Sequence, residues 1–185
     1  GSRRYIMVQL PEECEEESEA AKSGYKTICE IGKERIRLAS RQISSEYPTS
    51  KIDNGFRVFK LDESNMNDVY YSAGDYSQDF LSMLESNVKT DRNDLDLLFG
   101  CLLEWGLPLS MPYKSEEIEG CKVHNEGDLI ACFDENIPDS VIKEIAHRQP
   151  LRAVFRDSSF SSSPAKINVG EIFKAIAPDT SVKVI

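Results

Sequence analysis

The sequence predicts an α/β protein, and two observations carry that expectation. The first sixty residues read strand–helix–strand, a βαβ unit that implies a right-handed parallel crossover. The last third alternates apolar runs with helical patterns as strand–helix–strand–helix–strand, a second small α/β unit. Composition agrees: of 185 residues 40% are hydrophobic and 29% charged, globular values that exclude collagen-like and wholly disordered chains. The length suits one ordinary domain or two small ones.

The elements follow in order. Tyr5-Ile6-Met7-Val8-Gln9-Leu10, ended by Pro11, has the near-continuous apolar character of a strand buried on both faces. Such a strand needs neighbours, so the sequence is expected to begin mid-domain. Glu12 to Glu19 is a solvated loop. Thr27 and Glu30 have capping-box spacing before a helix to about Ile43, with Ile28, Ile31, Ile36, Ala39 and Ile43 as its buried stripe. Asn54-Gly55 is a turn signal. Phe56 to Leu61 alternates apolar and basic residues and reads as a half-buried strand.

Helices are expected near 77–86 and 92–105. The second is apolar at nearly every position from Leu95 to Trp105, as suits a helix buried on several sides or at a subunit interface; Gly106 fits its C-terminal end. Lys122–His124 and Leu129–Phe133 flank a hairpin loop. Pro138 fits the first turn of a helix to about His147, with Val141, Ile142 and Ile145 inward. Leu151–Phe155 is a strand, Asp157–Ser163 a Ser-rich loop, Asn168 to Glu171 has capping-box spacing ahead of Ile172, Phe173 and Ile176, and Val182–Ile185 is a final strand.

Charge is unevenly spread. The net charge is −10, yet residues 1–60 hold 11 basic and 10 acidic groups, and residues 24–60 carry eight basic against four acidic. The acidic excess lies in 61–185, so nucleic-acid contact by that part is disfavoured. Five widely spaced cysteines without C-x-x-C spacing suit free thiols in a reducing cytoplasm, and His124 and His147 have no partner at metal-ligand spacing. No run of about 18 apolar residues suggests a membrane span. Phosphate-loop, nucleophile-elbow and triad patterns are absent from the sequence.

Arg4-Tyr5-Ile6-Met7-Val8-Gln9 and Ile28-Cys29-Glu30-Ile31-Gly32-Lys33-Glu34-Arg35-Ile36 resemble the strand (R-[FY]-I-G-[IV]-[DE]) and following helix (E-[IL]-A-K-[EQ]-R-[IL]) of amino-methyltransferases acting on DNA bases. Gly24–Ile28, Gly55-Phe56-Arg57-Val58-Phe59-Lys60-Leu61-Asp62-Glu63-Ser64-Asn65, Glu104–Leu109 and Leu151–Asp157 narrow the likeness. With Arg3–Glu12 they resemble the C-terminal part of the modification (Mod) subunit of type III restriction–modification systems, over essentially the whole chain. The resemblance implies a parent enzyme that moves a methyl group from S-adenosylmethionine to the exocyclic amine of a flipped adenine in DNA. It also implies the partners: DNA through the parent, the restriction subunit and a second Mod subunit, with no membrane. The family's D-P-P-Y tetrad and F-x-G-x-G loop do not occur here, so an inactive fragment is expected.

On this likeness, residues 1–62 are the end of a Rossmann-like methyltransferase core, 63–115 a helical connection and 116–185 a small α/β C-terminal domain. Gln9 stands where the family commonly places an acid for the cofactor ribose; its amide oxygen still accepts a hydrogen bond. Asp62 ends the next strand, where related enzymes place a group near the cofactor adenine. Lys33, Arg37 and Arg41 recur every four residues and form the candidate DNA-phosphate stripe, or a solvated face. A non-catalytic assembly module, and an unrelated α/β ligand-binding protein, are the alternative readings.

Overall fold

The computed structural model describes residues 5–49, 53–67 and 87–185; the helix expected at 77–86 lies outside them. The chain divides into two compact units, Gly1–Val58 and Phe59–Ile185.

In the first unit, Ser18 accepts a hydrogen bond from the Ala21 N–H and opens a single-turn helix, α1 (Glu19–Lys22). The helix α2 (Ile28–Glu46) runs one turn past the expected end. Its expected capping box is replaced by a bond one residue earlier. The Glu30 carboxylate reaches back to accept from the Lys26 N–H at 2.6 Å, but the Thr27 hydroxyl caps nothing. None of its residues is buried, so the expected buried stripe is open: Ile28, Ala39 and Ile43 are exposed.

The strands expected at 5–10 and 56–61 are not formed. Ile6 is 94% and Val8 92% exposed, and Leu61 99%. The βαβ unit is therefore absent among the described residues. The physical reason is that strand dihedrals alone do not make a strand; a ladder needs a neighbour for its N–H and C=O groups. No described segment pairs with either run.

The second unit holds the α/β architecture. Asn93 caps α3 (Asp94–Glu104) through a complete capping box with Asp96, and Gly106 takes φ +64° just past its end. A five-stranded sheet follows in the order β1 (Tyr113–Ile118), β2 (Cys121–Glu126), β3 (Leu129–Cys132), β4 (Arg152–Phe155), β5 (Ser181–Val184). Strands β1 to β3 pair antiparallel, and β3 to β5 parallel. Two crossover helices supply the parallel returns, α4 (Asp139–His147) and α5 (Ser163–Ile176). This is the strand–helix–strand–helix–strand order read from the sequence, preceded by β2, the hairpin arm expected at Lys122–His124, and with β1 added ahead of both.

Alternation along the strands gives the sheet two apolar faces. Val123, Ile130, Cys132, Ala153 and Phe155 pack under α4 and α5, against Val141, Ile142, Ile145, Val169 and Phe173. On the other face Leu129, Ala131, Phe133 and Val154 pack against Leu97, Leu98, Cys101 and Leu102 of α3. All four residues of β3 are buried, as a strand covered on both faces must be. Helix α3 is core on one side only: Leu95 and Leu103 are exposed.

Strand β1 has no counterpart in the sequence reading, and one helix start is corrected. Strand β1 carries the sequence Tyr-Lys-Ser-Glu-Glu-Ile, whose apolar pattern is erased because it is an edge strand with Lys114 to Glu117 exposed. Helix α5 begins at Ser163, not Asn168. Ser162 accepts from the Ala165 N–H and Pro164 occupies the first turn, while the Asn168 amide donates to Asp139 instead of capping.

Candidate functional site

The stripe Lys33, Arg37 and Arg41 lies on α2, at spacing that puts all three on one helix face. Arg37 and Arg41 are exposed and Lys33 half-buried. Arg37 is already engaged, 3.4 Å from the Glu34 carboxylate and with its guanidinium 5.9 Å from the Phe56 ring centroid. The Glu30 carboxyl is held below its ordinary range first by its backbone hydrogen bond from Lys26, with Lys33 adding in the same sense.

Gln9 belongs to the first unit and Asp62 to the second. Gln9 is exposed, and its side-chain amide donates to the Leu10 carbonyl at 3.2 Å. Close by in the fold, the Cys29 thiol donates to the Gln9 and Leu10 carbonyls. Asp62 is exposed. Its carboxyl is held below the usual range first by the Glu63 N–H at 2.8 Å and then by Arg92, 3.7 Å away. Two open surface grooves lie on the second unit, one between β1 and α4 and one beside the β2–β3 turn; neither is lined by Gln9 or Asp62. Among the described residues, no group of three His, Cys, Asp or Glu residues could hold a metal ion.

The sequence reading missed a buried polar cluster in the second unit. His124 on β2 is 0% exposed. Its Nδ1 is 2.9 Å from the Tyr113 hydroxyl on β1, and its Nε2 is 3.2 Å from an Asp94 carboxylate oxygen on α3. These partners stand 11 and 30 residues away in sequence, so no spacing rule could pair them. A second feature is likewise non-local. The Trp105 ring lies near two cations, Arg152 at 5.7 Å and Lys183 at 5.8 Å, and Lys183 also pairs with Glu104.

A scan against models of known protein families finds no match. Similarity to a curated protein is found. The chain is 28% identical over 193 residues to the Mod subunit of the type III restriction-modification enzyme EcoP15I of Escherichia coli. It is similar to a Mod subunit. The match takes in 98% of this chain but 28% of that protein, so the chain spans little more than a quarter of its relative's length. Among the described residues, no helix is long and apolar enough to cross a membrane.

Proposed function

We propose that this chain is part of a type III restriction–modification DNA methyltransferase, from the region C-terminal to the methyl-transfer chemistry, and is itself catalytically silent. The observation that carries the reading is the similarity to a Mod subunit along 98% of the chain. Two features support the silent assignment. The sequence contains no D-P-P-Y tetrad and no F-x-G-x-G loop, and Gln9 lies open to solvent outside any described groove. The whole enzyme would transfer the methyl of S-adenosylmethionine to the exocyclic amine of adenine in DNA, in the cytoplasm. In that enzyme the exposed run Tyr5–Leu10 would pair with a sheet supplied by the rest of the polypeptide, with Gln9 and Asp62 facing the cofactor. Incubation of the chain with labelled S-adenosylmethionine and DNA is expected to give no sustained transfer. Sustained transfer, or micromolar cofactor affinity by calorimetry, overturns the reading.

The Lys33, Arg37, Arg41 face is proposed to meet DNA phosphates in the whole enzyme, with no base-specific role. Arg37→Glu with Arg41→Glu is expected to lower the salt slope of DNA binding by about one for each arginine that neutralises a phosphate; an unchanged slope makes the stripe a solvated face. A second reading, an assembly module that meets another Mod subunit or the restriction subunit, is favoured by the exposed Leu95 and Leu103 on α3. Sedimentation velocity over a concentration series tests its self-association form: a strict monomer throughout removes it.

A further inference from the structure

The His124 ring joins three elements through side chains alone. Tyr113 on β1 and Asp94 in the first turn of α3 hold its two nitrogens, while the Phe133 ring after β3 lies 6.0 Å away between centroids. Tyr113 stacks on it at a 25° interplanar angle. Other ionisable groups face the same region. Lys122, the preceding residue on this face of β2, places its ammonium 3.6 Å from the same Asp94 oxygen. Glu126, the next on that face, is buried, and Asp134 follows β3.

We propose that Asp94, His124 and Tyr113 form a proton-sensitive latch that docks the N-terminal turn of α3 on the sheet while the imidazole is neutral and releases it when the ring takes a second proton. One neutral tautomer satisfies every partner: Nε2–H donates to the Asp94 carboxylate and the Tyr113 O–H donates to Nδ1. A proton on Nδ1 reverses the second bond. The Tyr113 oxygen must then accept, and its own O–H loses its acceptor. The proton also creates a cation where there is no solvent. Asp94 offsets part of that cost, but its charge is already shared with Lys122. The far end of α3 has separate anchors in Cys101, Leu102 and the Glu104–Lys183 pair, so opening is confined to the first turn. Burial is the largest influence on the ring and pushes its pKa down, and Lys122 acts with it; Asp94 and Asp134 act in the opposite sense. The folded value therefore lies below the unfolded one of about 6.5. The docked state loses stability as pH falls from there through the folded value.

The test is amide hydrogen exchange at Leu97 and Leu98, with NMR titration of the His124 ring, in the full chain between pH 8 and 4.5. After correction for intrinsic exchange, the opening constant at these amides should rise by up to about tenfold per pH unit in the window below about 6.5. Amides near Trp105 should not follow. His124→Gln, which cannot titrate, should abolish the dependence. Lys122→Met removes the competing cation and should raise the ring's midpoint; Tyr113→Phe removes the hydroxyl that meets Nδ1 in both protonation states, more strongly in the charged one, and should lower it. These two variants decide the matter if His124→Gln does not fold. Persistence of the pH dependence in His124→Gln, its absence in the parent chain, or an unmoved midpoint in both remaining variants overturns the latch.

Discussion

At the residue scale the five cysteines fall into two chemical classes. Cys101, Cys121 and Cys132 are buried, while Cys14 and Cys29 are partly open. Burial pushes the Cys101 thiol up to about 11 and Cys132 to about 12, and raises Cys121 as well. The thiolate is the reactive form. Native-state labelling at pH 8 should therefore modify Cys14 and Cys29 quickly and the other three only as the second unit opens, read by peptide mass spectrometry. These raised values also carry a sign. The unfolded thiols ionise near pH 9 while the folded ones hold their protons, so stability declines as pH rises from about 9 toward 12. Gly127 is a second residue-scale case. Its φ is +63°, and a Cβ there would sit 1.9 Å from the Met111 Cε. Gly106 shares the positive φ, +64°, but has open space around it. The Met111 methyl is the far end of a flexible side chain and can swing aside, so Gly127→Ala and Gly106→Ala should each cost roughly the 1 kcal/mol expected of the backbone effect. Urea midpoints of the two variants compare them directly.

At the scale of elements, the helix α3 shows how far an apolar pattern reaches. Its residues are apolar almost throughout, so periodicity could not say which side is covered. The structure covers Leu97, Leu98, Cys101 and Leu102 and leaves Leu103 64% exposed. Leu98→Ala or Leu102→Ala should cost about 2–5 kcal/mol, and Leu103→Ala less than about 0.5 kcal/mol, by chemical denaturation. Strand β5 ends the sheet, and its Lys183 turns onto the α3 face to pair with Glu104. A charged residue in that position guards an edge against unwanted pairing. Elements whose signal is local were legible: α4, β4, α5 and β5 follow from period and breakers. Strand β1 was not, because an edge strand with four consecutive exposed polar residues has no period to detect. The start of α5 was misplaced because two capping patterns compete, and Ser162 with Pro164 prevails over Asn168.

At the scale of the molecule, the two units differ in what holds them. No described residue of 5–58 is buried, whereas 59–185 has an apolar layer on each face of its sheet. Stability scales with apolar area removed from water. A chain of residues 59–185 should therefore unfold cooperatively in urea, and residues 1–58 alone should show no cooperative transition by circular dichroism. A broad, non-cooperative transition for 59–185 would contradict this. The sequence by itself determined the α/β class, most helix and strand positions, the uneven charge and the likeness to Mod subunits, because each depends on residue type and near-neighbour spacing. Only the tertiary structure decided that Tyr5–Leu10 and Phe56–Leu61 form no strand ladder among the described residues, and that Asp94, Tyr113 and His124 meet. Ladders and buried polar clusters join residues far apart in sequence, and which residues meet is fixed by packing rather than by local pattern.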